Sequence, residues 1–232
     1  LSSTLHLGRP ERAWRAVSQW RSSWLSREGV AAILTYIPAL LFGAVWSGFV
    51  NAPQWTGPLG LLTSVMAAIT VFSTGKIYAT LKTIRAWHQP LTVPVYLVFA
   101  LATGAAVLMP IATIFGRFQW FQLVLASIAL VALAVIKWFY WRSIDAAPRD
   151  RTMAQATGLG AGVGQWEVPH TSANFVQKEM GFVVARRHAA KLRNLFFILL
   201  LLTGFIYLAC LASPWFSWVA APVILLAAWV ER

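Results

Sequence analysis

The sequence predicts an all-α integral membrane bundle, and three observations carry that prediction. Hydrophobic side chains make up 59% of the 232 residues and charged ones only 11%, a balance foreign to ordinary water-soluble domains. The apolar residues gather in runs of about 20, the length at which a helix crosses the bilayer core with every backbone group paired internally. Acids and bases fall between these runs, so no predicted span has one in its interior.

Six spans follow in order: residues 30–50, 58–75, 91–115, 119–136, 194–213 and 215 to the end. The first opens after "SWLSREG", where Ser26 suits a helix cap and Glu28 suits the positive end of the helix dipole. Lys76 closes the second span, and Lys137 the fourth. Leu1 reads as the tail of an earlier apolar helix, and the last span as cut at Arg232, so both termini are expected to extend further. The whole chain is expected to form a single membrane-embedded domain.

Tryptophans mark the span ends. Trp14, Trp20, Trp24, Trp55, Trp87, Trp120, Trp138, Trp141 and Trp215 fit an interfacial belt, where an indole keeps its ring in lipid and its N–H in water. The lone Cys210 excludes a disulfide framework within the chain and reads as a small packing residue.

A formal charge of +12 is compatible with nucleic acid, but its distribution points to a membrane instead. Tracing alternate span ends puts every Lys and Arg except Arg117 on one side. By the positive-inside tendency that side is cytoplasmic, in the inner membrane. Some of the charge serves topology and contact with anionic lipid.

The basic side carries a long connection, residues 142–193. Its first part, "DAAPRDRTMAQATGLGAGVGQWEVPHTSAN", is polar and rich in Gly and Pro, and loops of this length usually serve a site or a partner. "GLGAGVG" is rejected as a dinucleotide fingerprint because no strand precedes it. "FVQKEMGFVVARRHAAKLR" has helical spacing, with Phe175, Met180, Val183 and Val184 among bases, and predicts an amphipathic helix lying in the interface. Arg186, Arg187 and His188 would fasten it there.

The histidines restrict the chemistry. His6, His88, His170 and His188 all lie in basic-side loops or at span ends, so no pair of facing helices can ligate haem within the bilayer. A proton-coupled transporter usually shows intramembrane acids or bases, which argues against that class. What remains is a site at the basic edge. His6 follows the end of the preceding helix and Glu28 stands at the start of the next, so the two can approach each other. A quinone suits such a place: its isoprenoid tail partitions into lipid, its carbonyls accept hydrogen bonds near the interface, and its reduction takes up two protons. A histidine can donate to a carbonyl and relay a proton, and a glutamate can exchange it with water. On local pattern alone, a surface histidine and a capping glutamate are the simpler account of the pair.

"HLGRPERAWRA" with "SWLSRE", then "FSTGKIYATLKTIRAWHQPLT", then "PHTSANFVQKEMGFVVARRHAAKLR" resemble the membrane-anchor subunit of the dimethyl sulfoxide reductase family. The likeness runs along the whole chain. It implies eight transmembrane helices, of which six are present here, no haem, and a quinone site that uses ubiquinone or menaquinone. It also implies docking of an iron–sulfur subunit that exchanges electrons with a molybdopterin catalytic subunit. The family's quinone-site histidine falls on His6 and its functional glutamate on Glu28; the same motif brings Gly8 and Arg9 to the pocket. Lys76, Tyr78 and Lys82 follow a span and are placed to line it from the next helix pair, although Tyr78 reads more simply as an interfacial aromatic. Arg9, Arg12, Arg15 and Arg21 suit either an acidic face of the cluster subunit or lipid. The basic-side placement of the motif, with "IYATLKTIRAWH", is most similar to the sulfite-oxidising branch, in which electrons flow from sulfite to quinone. Quinol-oxidising sulfoxide or polysulfide reductase anchors share most of these motifs. The rival classes are a secondary transporter and a purely structural tether.

Overall fold

A computed structural model describes residues 10–82, 84, 86–146, 157–159 and 187–231. Among them every regular element is helical. A short 3₁₀ turn precedes α1 (Trp14–Ser18); then come α2 (Trp24–Trp46), α3 (Thr56–Ala79), α4 (Thr92–Ile114), α5 (Trp120–Ala146), α6 (Ala189–Ala209) and α7 (Ser217–Glu231). Six of these, α3 and α7 each with the 3₁₀ turn that leads into it, are long and apolar enough to cross a membrane, as the sequence predicts.

The helix ends differ from the predicted ones, for identifiable reasons. Helix α2 begins at Trp24, and its cap is Ser23, whose hydroxyl accepts from the Ser26 N–H at 3.4 Å. Ser26 is therefore a buried helical residue and not the cap. Glu28 moves into the second turn, about 6 Å along the axis. Helix α5 does not stop at residue 136 but runs to Ala146, about 40 Å in all, so its last turns outrun the ~30 Å core. Lys137, expected in a loop, is helical and fully buried, with its ammonium 4.3 Å from the centre of the Tyr140 ring. Of the predicted loop and amphipathic helix, residues 147–156 and 160–186 lie outside the described part.

The described residues fall into two compact units. The first takes in the chain up to Ala105 together with Ile128–Tyr140. Its dominant packing is α2 on α3, and the residues these helices bury are small or polar, among them Ser26 and Ala31 of α2 and Ser73 and Gly75 of α3. Hydroxyls span the seam, with Thr35 and Thr70 Oγ1 atoms 3.2 Å apart. Gly75 sits against α4: a Cβ there would stand 3.2 Å from Val93 Cα, so the missing side chain is what permits the approach.

The second unit takes in Ala106–Ser127 and Trp141–Arg232. Here α6 packs on α7. Phe196, Leu199, Leu200, Thr203 and Tyr207 form one buried stripe of α6, and Ala220, Ile224 and Ala227 repeat along the facing stripe of α7. Large residues meet small ones, the packing that drives association where lipid removes the hydrophobic force between helices. Arg193 reaches Asp145 at 2.6 Å, tying the start of α6 to the end of α5. The buried hydroxyls of Tyr207 and Ser217 have no hydrogen-bond partner among the described residues.

Candidate functional site at the basic membrane edge

Arg27 shapes the approach to α2. Its guanidinium donates to the carbonyls of Trp20 and Arg21, at 2.9 and 2.7 Å, and stacks 4.3 Å from the centre of the Trp24 ring. The segment ahead of α2 is thereby folded back onto its first turn. One residue on, Glu28 is half-buried and faces α3.

Thr74 meets it there. The Thr74 hydroxyl lies 2.6 Å from Glu28 Oε1 and 3.1 Å from the Thr70 carbonyl. One hydroxyl has one proton to give, so the two acceptors compete. As a carboxylate, Glu28 accepts the Thr74 hydrogen bond. As a carboxylic acid it can donate to Thr74 Oγ1, whose own hydrogen then turns to the Thr70 carbonyl. Both distances already exist, so either arrangement needs only a rotation of the hydroxyl.

Lys76, two residues further along α3, stands 5.9 Å from the centre of the Trp24 ring and 5.6 Å from that of Phe72. These distances fit cation–aromatic contact. Its other neighbour is a cleft of about 580 Å³ between the end of α3 and the start of α4, lined also by Phe72, His88, Gln89, Val93 and Leu97. Tyr78 is held edge-on to Trp87, with ring centres 5.0 Å apart, and stacks on Tyr96 at 5.4 Å. It thus braces the loop between α3 and α4 with its ring.

That loop is pinned at several points. His88 Nδ1 is 2.7 Å from the Ala79 carbonyl, Gln89 Nε2 donates to Ala86 at 2.9 Å, and Thr92 Oγ1 donates to Trp87 at 2.6 Å. The Tyr140 hydroxyl adds a bond to the Ala86 carbonyl at 2.8 Å, so the buried end of α5 carrying Lys137 also supports the loop.

The site residues expected from sequence are therefore partly assembled. Glu28 and Lys76 lie on adjoining turns of the α2–α3 pair, while His6, Gly8 and Arg9 lie outside the described residues. Thr74, His88 and Lys137 are additions. The first two had visible neighbours in the chain, "STGK" and "RAWHQP", but their spatial partners stand 46 and 9 residues away.

A multi-pass helical membrane protein whose polar chemistry gathers at one end of a helix pair is the class that fold and site define. Residues 1–206 match the DMSO reductase anchor subunit (DmsC) family, and the chain belongs to it. Over 118 residues it is 37% identical to a sulfite dehydrogenase subunit from Allochromatium vinosum, a match covering 44% of this chain and 35% of that relative. No solved structure matches the chain. The chain is thus a multi-pass helical member of the anchor-subunit family, and it spans about a third of the length of the curated relative it matches.

Proposed function

We propose that this anchor exchanges electrons with membrane quinone, receiving them from sulfite oxidation by way of an iron–sulfur subunit and a molybdopterin catalytic subunit on the cytoplasmic side. The observation that carries the reading is the Glu28 carboxyl. It sits within a membrane-spanning helix, near its basic end, and meets the Thr74 hydroxyl at 2.6 Å across the seam. Ionisable groups in spans are costly to keep and are by default functional.

In this reading Glu28 exchanges protons between water and the ring, and His6, at the same edge, donates to a ring oxygen. Gly8 leaves room for that approach and Arg9 supplies positive charge beside it. Lys76 lines the ring pocket, and Tyr78 keeps the pocket wall in place. Ubiquinone and menaquinone both suit this arrangement, since both present paired ring oxygens on an isoprenoid tail. The basic loops face the cluster subunit.

The experiment is quinone reduction by the purified complex supplied with sulfite and a short-chain quinone. His6→Ala and Glu28→Gln are each expected to lower turnover about 100-fold, the scale of lost acid–base catalysis, with the complex still assembled. Full turnover in both variants would remove the site assignment. Quinol oxidation driven by a sulfoxide, with no sulfite-dependent reduction, would reverse the direction of flow and the branch.

A further inference from the structure

The segment "FSTGKIYATLKTIRAWHQPLT" builds more than Thr74, Lys76 and Tyr78 of the proposed site. Its cleft has a polar end made of Lys76, His88 and Gln89 and an apolar wall made of Phe72, Val93 and Leu97. Lys76 belongs to the last turn of α3, so the polar end lies at the membrane face and the wall extends toward the bilayer interior. His88 and Phe72 are exposed. A ligand with a hydrogen-bonding head and an apolar tail can therefore enter sideways from lipid. The volume falls within the usual range of ligand pockets, about 300–1,000 Å³.

The geometry at His88 fixes its chemistry. A carbonyl only accepts, so Nδ1, 2.7 Å from the Ala79 oxygen, carries a hydrogen. The nitrogen left for a ligand is Nε2, an acceptor in neutral imidazole and a donor in imidazolium. His88 can thus give up its Nε2 proton without losing its bond to Ala79. The four hydrogen bonds that pin the loop keep the ring where it is.

Proton accounting then asks for a second donor. Quinone reduction adds two electrons, here from the reduced iron–sulfur subunit, and two protons, forming one O–H bond at each ring oxygen. In the reading above, His6 and Glu28 supply one of these protons. We infer that the α3–α4 cleft, whose lining does not include Glu28, receives the quinone ring, and that His88 and Lys76 serve one of its two oxygens. This rests on the quinone reading above. Lys76 donates a hydrogen bond to that oxygen as negative charge builds on it. His88 passes its Nε2 proton to the same oxygen, the N–H bond breaking as the O–H bond forms, and regains a proton from the basic face to which it is exposed.

The test uses the intact complex in nanodiscs of zwitterionic phospholipid, with decylquinone as the probe. Binding of the probe is measured at equilibrium, and its reduction is measured with sulfite. Lys76→Met is expected to weaken binding about tenfold. His88→Ala and His88→Asn are both expected to slow reduction at least tenfold, within the usual range for a lost acid–base group. The asparagine amide can replace Nδ1 toward Ala79 but has no Nε2 proton. Wild-type reduction in His88→Asn alone would make His88 a loop support and overturn the proposal. Unchanged binding and turnover in all three variants, with Glu28→Gln still impaired, would overturn the cleft but keep the quinone reading. Failure of the wild-type complex to bind or reduce decylquinone would overturn both. Retention of a phospholipid that decylquinone cannot displace, lost in Lys76→Met, would assign the cleft to lipid and overturn the proposal.

Discussion

Two helix pairs of this protein solve the same packing problem with different materials. The α6–α7 seam sets Phe196, Leu199 and Leu200 against a ladder of alanines. The α2–α3 pair buries only Ser26, Ala31, Pro38, Ser73 and Gly75, the last against α4, and across its seam Glu28 meets Thr74 and Thr35 meets Thr70. In lipid the first arrangement gives cohesion through close packing. The second gives up apolar contact to hold a carboxyl against a hydroxyl. In the function proposed above, one pair serves persistence and the other exchange.

The sharpest way to break that contrast is to cut into the cohesive pair. Phe196→Ala removes a fully buried ring that also meets Trp141 and Phe197 edge-on, and is expected to cost about 3 kcal/mol. Thermal unfolding in detergent should show the loss, while the apparent affinity for quinone in the surviving complex stays the same. A change in quinone affinity would mean that the two pairs are not functionally separate.

Thr74→Val tests the exchanging pair. Loss of a hydrogen bond to a charged group amounts to about 1.5–3 kcal/mol, so turnover is expected to fall at least tenfold. Thr74→Ser keeps the hydroxyl and should restore most of the rate. The pH dependence of turnover is also expected to differ in the valine variant, because Glu28 loses the hydroxyl it meets at 2.6 Å. A purely structural role for Thr74 would leave that profile in place.

Gly75→Ala probes the contact of the same helix with α4. The added methyl meets Val93 Cα at 3.2 Å, and an expected loss of about 1 kcal/mol should appear in unfolding. The smallest effect belongs to Asp145→Asn. Its partner Arg193 is 31% exposed and the aspartate 58%, so screening by solvent leaves less than about 0.5 kcal/mol.

Much of this architecture is legible in the sequence because lipid imposes a strict rule: about twenty apolar residues with no charge make a span. The helix ends follow no such rule. Residues 137–146, "KWFYWRSIDA", read as a loop because they are polar and aromatic, yet a helix can carry such residues beyond the hydrocarbon edge, where long side chains reach water and rings fill the interface. Lys137 then becomes buried by tertiary packing, which no local pattern reports. Glu28 is legible as an acid beside a span. Thr74 is not, because a hydroxyl inside an apolar run usually bonds its own helix and only a neighbouring helix gives it a second acceptor. His88 belongs to a motif visible in the chain, but its role depends on how the loop doubles back to the Ala79 carbonyl.

The self-bonded hydroxyls have a consequence for how the chain is made. Thr63, Ser73, Thr103, Thr113, Ser127 and Thr203 each donate to the carbonyl one turn earlier, and Thr35 and Thr70 each have that carbonyl in reach beside the other's hydroxyl. A span emerging from the insertion machinery alone carries these bonds with it, so it meets lipid with few donors exposed. Polar seams can thus be delivered as separate apolar segments, and their hydroxyls are redirected toward a neighbour only after the helices find each other.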